Sequence, residues 1–153
     1  MIYKQQPTSV TVLLAEDDMD DCFLFEKALK GIPIVTKLIT VNNGEQLMDY
    51  LTEHAELLPD ILFLDLSMPR KSGFECLIEI KDDIKLEKLQ VVIFSTSFTR
   101  GNDLEPYLIN TFSKIGVLDY IRKPNDFEQL KHVIHQAIIK LIAKNGLIPT
   151  EDE

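Results

Sequence analysis

The chain has 153 residues, 45% of them hydrophobic and 27% charged, with a formal net charge of -9. That length suits one domain with a single well-buried core, and the balance of apolar and charged residues belongs to a globular chain rather than a disordered one. The acidic charge leaves no basic stripe to neutralise phosphates, which argues against a general nucleic-acid binder, and no apolar run reaches the roughly 18 residues that span a bilayer.

Met1, Ile2, Tyr3 and Lys4 open the chain without the apolar core of a secretory signal. The two cysteines, Cys22 and Cys76, sit within helical apolar patterns and lack metal-ligand spacing, so they read as buried free thiols of a reducing cytoplasm. Residues 10–15 form a β-branched, apolar first strand that stops at Glu16, Asp17 and Asp18, three acids that cannot continue a buried run. Asp17 or Asp18 suits the cap of the following helix, whose stripe is Cys22, Phe25, Leu29 and Ile32 and which Gly31 and Pro33 close. Residues 34–41 alternate more than the other strands and read as an edge. Asn43 and Gln46 resemble a reciprocal helix cap, followed by Leu47, Met48 and Leu51 on one face.

Residues 61–64 are the central feature: a short unbroken apolar run, as in a strand buried on both faces, ending in the carboxylate of Asp65. Ser67, Pro69, Ser72 and Gly73 supply loop chemistry before Phe74, Leu77 and Ile78 mark a third helix, which gives out among Asp82, Asp83 and Lys85. A fourth strand, residues 91–94, ends at Ser95, Thr96 and Ser97. Leu104, Leu108, Phe112 and Ile115 form a helical stripe that tolerates Pro106 near its start and ends at Gly116. Residues 117–122 are a fifth strand, stopped by Lys123 and Pro124. Asn125, with Glu128 three residues on, suits the cap of a last helix whose core face is Phe127, Leu130, Ile134, Ala137, Ile138 and Leu141. Val133, Ile139 and Ile142 widen that face, toward either a partner or a broader core contact, while His132 and His135 read as solvated residues of the helix.

Strands alternating with helices imply an α/β fold with a doubly wound five-stranded parallel sheet and right-handed crossovers. We expect one domain over residues 9–144, an N-terminal extension over 1–8 and a short acidic tail over 145–153, too short to hold an output module. Ligands in such sheets bind at the carboxyl ends of the strands. Glu16 and Asp17, Asp65, Ser95 and Thr96, and Lys123 all stand at such ends. Carboxylates about 4 Å apart repel by about 4 kcal/mol per pair at an effective dielectric near 20, and protonation or a hard divalent cation relieves that. Mg²⁺ takes a few carboxylates, retained waters and a phosphate oxygen, which suits phosphoryl transfer: an aspartate as nucleophile, with the metal, a lysine and a hydroxyl steadying the transferred group.

Together these residues resemble the CheY-like receiver domains of two-component response regulators, over about residues 11–141. The resemblance implies a three-layer (βα)5 flavodoxin-like sheet in the order 2-1-3-4-5. It implies Asp65 as phospho-acceptor, Glu16 and Asp17 as the acidic metal pocket, and the backbone carbonyl of Ser67 completing the protein's share of a Mg²⁺ shell. Ser95 takes the family's Ser/Thr switch position, with Thr96 as the register alternative, and Lys123 matches the lysine of a Lys-Pro pair whose peptide bond is typically cis. Pro69 and Gly73 match the loop after the acceptor, and Tyr120 matches the aromatic switch. Gln90 departs from a proline common there, and the segment from Phe98 to Gly116 is longer than usual.

The implied function is that of a single-domain response regulator in the cytoplasm. It would receive a phosphoryl group from a sensor histidine kinase or a histidine phosphotransfer protein. It would signal by protein contacts of the face made by the fourth helix, fifth strand and fifth helix, to a downstream target or a second copy, without nucleic acid or membrane. It would not be a dedicated enzyme, although it could catalyse its own dephosphorylation. Two other readings stay open: a receiver-like interaction module that is never phosphorylated, and a metal-dependent phosphatase of the haloacid dehalogenase type, although Ser67 stands where such an enzyme wants a second aspartate.

Overall fold

The computed structural model describes residues 9–96 and 104–146, and the side chains of all of these except 104–109. The expected extension over 1–8, Ser97, the segment from Phe98 to residue 103, the Leu104 and Leu108 members of the fourth stripe and the tail beyond 146 lie outside what is described. Five strands, β1 (Val10–Ala15), β2 (Thr36–Val41), β3 (Ile61–Leu64), β4 (Val91–Ser95) and β5 (Asp119–Arg122), alternate with α1 (Met19–Lys30), α2 (Gly44–Glu53), α3 (Gly73–Asp82), α4 (Leu104–Ile115) and α5 (Phe127–Lys144). All strand pairings are parallel and the order is β2-β1-β3-β4-β5. The doubly wound sheet is therefore as expected, with β2 at one edge.

The period-2 alternation of side chains divides the core between the two faces of the sheet. Val12, Leu14, Phe63, Val92 and Phe94 join Phe25 and Leu29 of α1 and Ile134 and Ile138 of α5 on one face. Leu13, Leu62, Leu64, Val91 and Ile93 join Leu47 and Leu51 of α2, Leu77 and Ile80 of α3 and Phe112 of α4 on the other. Phe25, Phe63 and Phe94 meet edge to face with ring centroids 5.0 to 5.9 Å apart, the geometry aromatic quadrupoles prefer. This places a rigid packed block immediately below the carboxyl ends of β1, β3 and β4.

Several local expectations are corrected. The cap of α5 is Asp126, whose carboxylate accepts the Gln129 N–H at 3.0 Å; Asn125 lies one residue too early, and Glu128 pairs with Lys131 at 3.5 Å instead of returning to the cap. The third helix is where Phe74, Leu77 and Ile78 mark it; its buried residues are Gly73, Cys76, Leu77 and Ile80, while Phe74 and Ile78 are exposed. Strands β2 and β5 begin two residues later than expected, although the Val35 carbonyl and the Leu118 N–H still bond to β1 and β4. Cys22 is only half-buried, whereas Cys76 is buried. The Lys123–Pro124 peptide bond is trans, the commoner form for a proline bond. Asn43 does cap α2, accepting from Gln46 N–H at 2.9 Å, but the Gln46 amide returns to the N–H of Asn42 rather than to the cap itself.

Candidate functional site

Strand register brings the candidate residues together. Ala15 lies opposite Leu64, so the next residues, Glu16 and Asp65, leave the sheet side by side, and Asp65 N–H bonds to the Ala15 carbonyl at 3.1 Å. Ser95 pairs with Arg122 in β5, and the Lys123 N–H bonds to the Ser95 carbonyl at 2.8 Å. The loops leaving four parallel strands thus open on one edge, as open α/β sheets dictate. Asp18 caps α1 by accepting from the Asp21 N–H at 2.9 Å, which settles the Asp17 or Asp18 alternative for the cap and leaves Asp17 exposed beside the pocket.

Glu16, Asp65 and Ser95 are 2%, 6% and 1% exposed, the buried polar residues in an otherwise apolar interior among those described. The Ser95 hydroxyl donates to Asp65 Oδ1 at 3.3 Å, and the Ser67 N–H donates to the same oxygen at 3.2 Å. Lys123 Nζ lies 3.8 Å from Asp65 Oδ2 and 3.0 Å from Asp21 Oδ2, and pairs closely with Glu16 Oε1. The face of Phe94 flanks the ammonium at 5.8 Å. Thr96, the register alternative to Ser95, is exposed on the next residue.

Burial is the dominant influence on both carboxyls. It pushes Glu16 up to about 7, with the Lys123 bond opposing and the charge of Asp65 adding to the rise. Burial likewise raises Asp65, opposed first by Lys123 and then by the Ser67 N–H. For Lys123 burial acts downward, but its carboxylate partners outweigh it and the ammonium is held above its ordinary value.

One oxygen from each of Glu16, Asp17 and Asp65 lies within 4.8 Å of the others. At that spacing each ionised pair repels by about 3 kcal/mol at an effective dielectric near 20, and a single ammonium cannot neutralise them all. All the donors are hard oxygens, one of them on an exposed side chain open to water, which fits Mg²⁺ or a similar divalent cation and not a softer metal.

The loop after Asp65 is held by close backbone packing. A Cβ on Gly73 would stand 2.1 Å from the Asp65 carbonyl oxygen, so only glycine lets α3 start against the Asp65 peptide. Arg70 has φ 69 and the Lys71 N–H bonds to the Pro69 carbonyl at 2.7 Å, a γ-turn of the strained hand. Ser72 and Glu75 close a full capping box on α3. Tyr120 is half-buried on β5, its ring stacked on Phe112 with centroids 5.7 Å apart, beside a shallow cavity of about 190 Å³ lined also by Ser113, Val117, Leu118 and Asp119. Larger grooves lie away from the carboxylates, one of about 610 Å³ between α2 and α3.

Two members of the site escape the sequence reading. Asp21 is the second close partner of Lys123, and Asn42 fixes the acidic turn by donating its amide to the Glu16 carbonyl at 3.2 Å. Asp21 carries no local signal, since its pairing with Lys123 spans 102 positions. Nothing local marks Asn42 either.

Residues 12–135 match the family described as the response regulator receiver domain. The chain is 33% identical over 123 residues to the response regulator Rcp1 of Synechocystis sp., covering 78% of this chain and 80% of that protein. It is 30% identical over 128 residues to a probable methanogenesis regulatory protein, FilR2, of Methanothrix harundinacea, covering 82% and 79%. Among solved structures it resembles the phosphorylated cyanobacterial phytochrome response regulator RcpA, with a TM-score of 0.72, 30% identity, and 89% and 96% of the two chains covered. The Mn²⁺-bound form of Rcp1 gives a TM-score of 0.69 at 26% identity, covering 93% and 97%.

Proposed function

The chain belongs to the response regulator receiver domain family of two-component signalling, and from that premise we propose that it accepts a phosphoryl group from a phosphohistidine onto Asp65. The observation that carries this reading is the environment of one buried carboxylate: Asp65 has acidic oxygens within 4.8 Å, the Ser95 hydroxyl at 3.3 Å and the Lys123 ammonium at 3.8 Å. A carboxylate so placed has a metal pocket on one side and hydrogen-bond donors for a tetrahedral phosphoryl group on the other.

Asp17, Asp65 and the Ser67 carbonyl would hold a Mg²⁺ ion, with Glu16 behind them; when bound, the ion neutralises the carboxylates and the charge on the phosphoryl oxygens. The chain's own residues then do the following. An Asp65 oxygen attacks phosphorus as the P–N bond of the phosphohistidine breaks, and the imidazole leaves with the bonding electron pair and takes up a proton. Lys123 and Ser95 move onto the phosphoryl oxygens. The shift of Ser95 toward the phosphoryl group vacates space, and Tyr120 turns into it, which changes the face made by α4, β5 and α5. The phosphoryl group acts as a ligand that binds one of two conformations better.

The donor would be a sensor histidine kinase or a histidine phosphotransfer protein in the cytoplasm, and the receiver of the signal a protein target or a second copy of the chain. The likeness to a phosphorylated regulator and to a Mn²⁺-bound one supports the chemistry. Phosphoramidate carries the same P–N bond as phosphohistidine. Incubation with it and Mg²⁺, followed by borohydride reduction of the acyl phosphate, should convert residue 65 to homoserine in peptide sequencing. A modification elsewhere, or none in folded protein, would overturn the assignment.

A further inference from the structure

The Lys123 ammonium has three N–H donors and carboxylates on three sides. Glu16 pairs with it closely, Asp21 Oδ2 is at 3.0 Å, and Asp65 Oδ2, at 3.8 Å, is beyond hydrogen-bond reach. The lysine side chain is 11% exposed and that of Asp21 39%. The lysine is thus held by Glu16 after β1 and by Asp21 in the first turn of α1 rather than by the residue on which it is to act.

Asp21 is held through its backbone at the start of α1. Its backbone N–H is tied to the Asp18 carboxylate at 2.9 Å. Its own charge sits in the first turn of α1, where the helix dipole favours an anion. A phosphoryl group on Asp65 adds negative charge and oxygens that a neighbouring ammonium can reach, so Lys123 must move toward Asp65 and away from α1.

We propose that Asp21 is a positioning residue that restrains Lys123 in the unphosphorylated state and so sets how readily Asp65 gains and keeps a phosphoryl group. This rests on the reading of Asp65 as the acceptor. It goes beyond that reading in assigning a counterweight to the lysine: a carboxylate outside the metal cluster whose pull on the ammonium opposes the phosphorylated state. The restraint is specific to position 21, since the exposed Asp20 beside it carries the same charge on the same turn without being among the partners found for Lys123.

The test is a titration with beryllofluoride, which takes the phosphoryl position on a carboxylate, in saturating Mg²⁺ and followed by amide NMR. The variants are Asp21→Asn, Asp21→Glu and Asp20→Asn, each first checked for a wild-type urea midpoint. Asp21→Asn should lower the apparent dissociation constant about three- to fivefold, what a part-exposed ion pair is worth. Asp21→Glu, which keeps the charge, should stay within about twofold of wild type, and Asp20→Asn should shift it by less than about twofold.

An unchanged or weaker affinity in Asp21→Asn, or an equal tightening in Asp20→Asn, would overturn the proposal and leave the acceptor reading intact, because the wild type would still bind. Failure of the folded wild type to bind beryllofluoride at Asp65 would overturn both.

Discussion

Glu16 carries its carboxyl at about 7, raised from 4.5, first by burial and then by the neighbouring charge of Asp65, with the Lys123 bond opposing. Such a group holds its proton more tightly in the folded chain than in the unfolded one. Its contribution to stability is therefore fully present below the unfolded value and is lost as the pH rises from about 4.5 to about 7. In EDTA, urea midpoints should fall between pH 5 and pH 7.5, Glu16→Gln should flatten the fall, and Mg²⁺ should reduce it by neutralising the cluster. A midpoint rising across that window in the wild type, with no difference in Glu16→Gln, would contradict the account. The acids at 16 and 17, Asp65 and Lys123 are visible in the sequence because each ends an apolar run. Asp21 is not visible in that way, because its pairing with Lys123 spans 102 positions and exists only once β1 and β5 flank the same edge.

At the scale of elements, strands were more legible than helix ends. A strand buried on both faces leaves an apolar run with sharp limits, and the run over Ile61–Leu64 is bounded by Asp60 and Asp65 on its two sides. A cap depends on which of two adjacent polar side chains meets the N–H three residues on, a matter of ångströms that sequence does not record. At α5 that choice falls on Asp126 rather than Asn125. Asp126→Ala should lower stability by about 1 kcal/mol in urea denaturation, and Asn125→Ala by no more than a few tenths. Equal losses, or a larger one for Asn125→Ala, would return the cap to Asn125. The stripe of Phe74, Leu77 and Ile78 does mark α3, in which Leu77 is buried while Phe74 and Ile78 are exposed.

For the molecule as a whole, the two apolar layers serve the edge. Phe25, Phe63 and Phe94 on one face and Leu62, Leu64 and Ile93 on the other leave β1, β3 and β4 little freedom to shift register, so the spacing of Glu16, Asp65 and Ser95 is set by the core. Among the described residues no helix is long and apolar enough to cross a bilayer. The strand order and the alternation of elements followed from residue pattern and family resemblance together. The trans Lys123–Pro124 bond did not, because the two proline isomers differ by only about 0.5–1 kcal/mol and the sequence does not choose between them.

The central claim is that this edge makes Asp65 a metal-dependent phosphoryl acceptor, and intact-protein mass after incubation with acetyl phosphate tests it most directly. Mg²⁺-supplied wild type should gain one phosphoryl group, with no gain in EDTA or in Asp65→Asn. An equal gain in Asp65→Asn, or no gain in folded wild type with Mg²⁺, would contradict it.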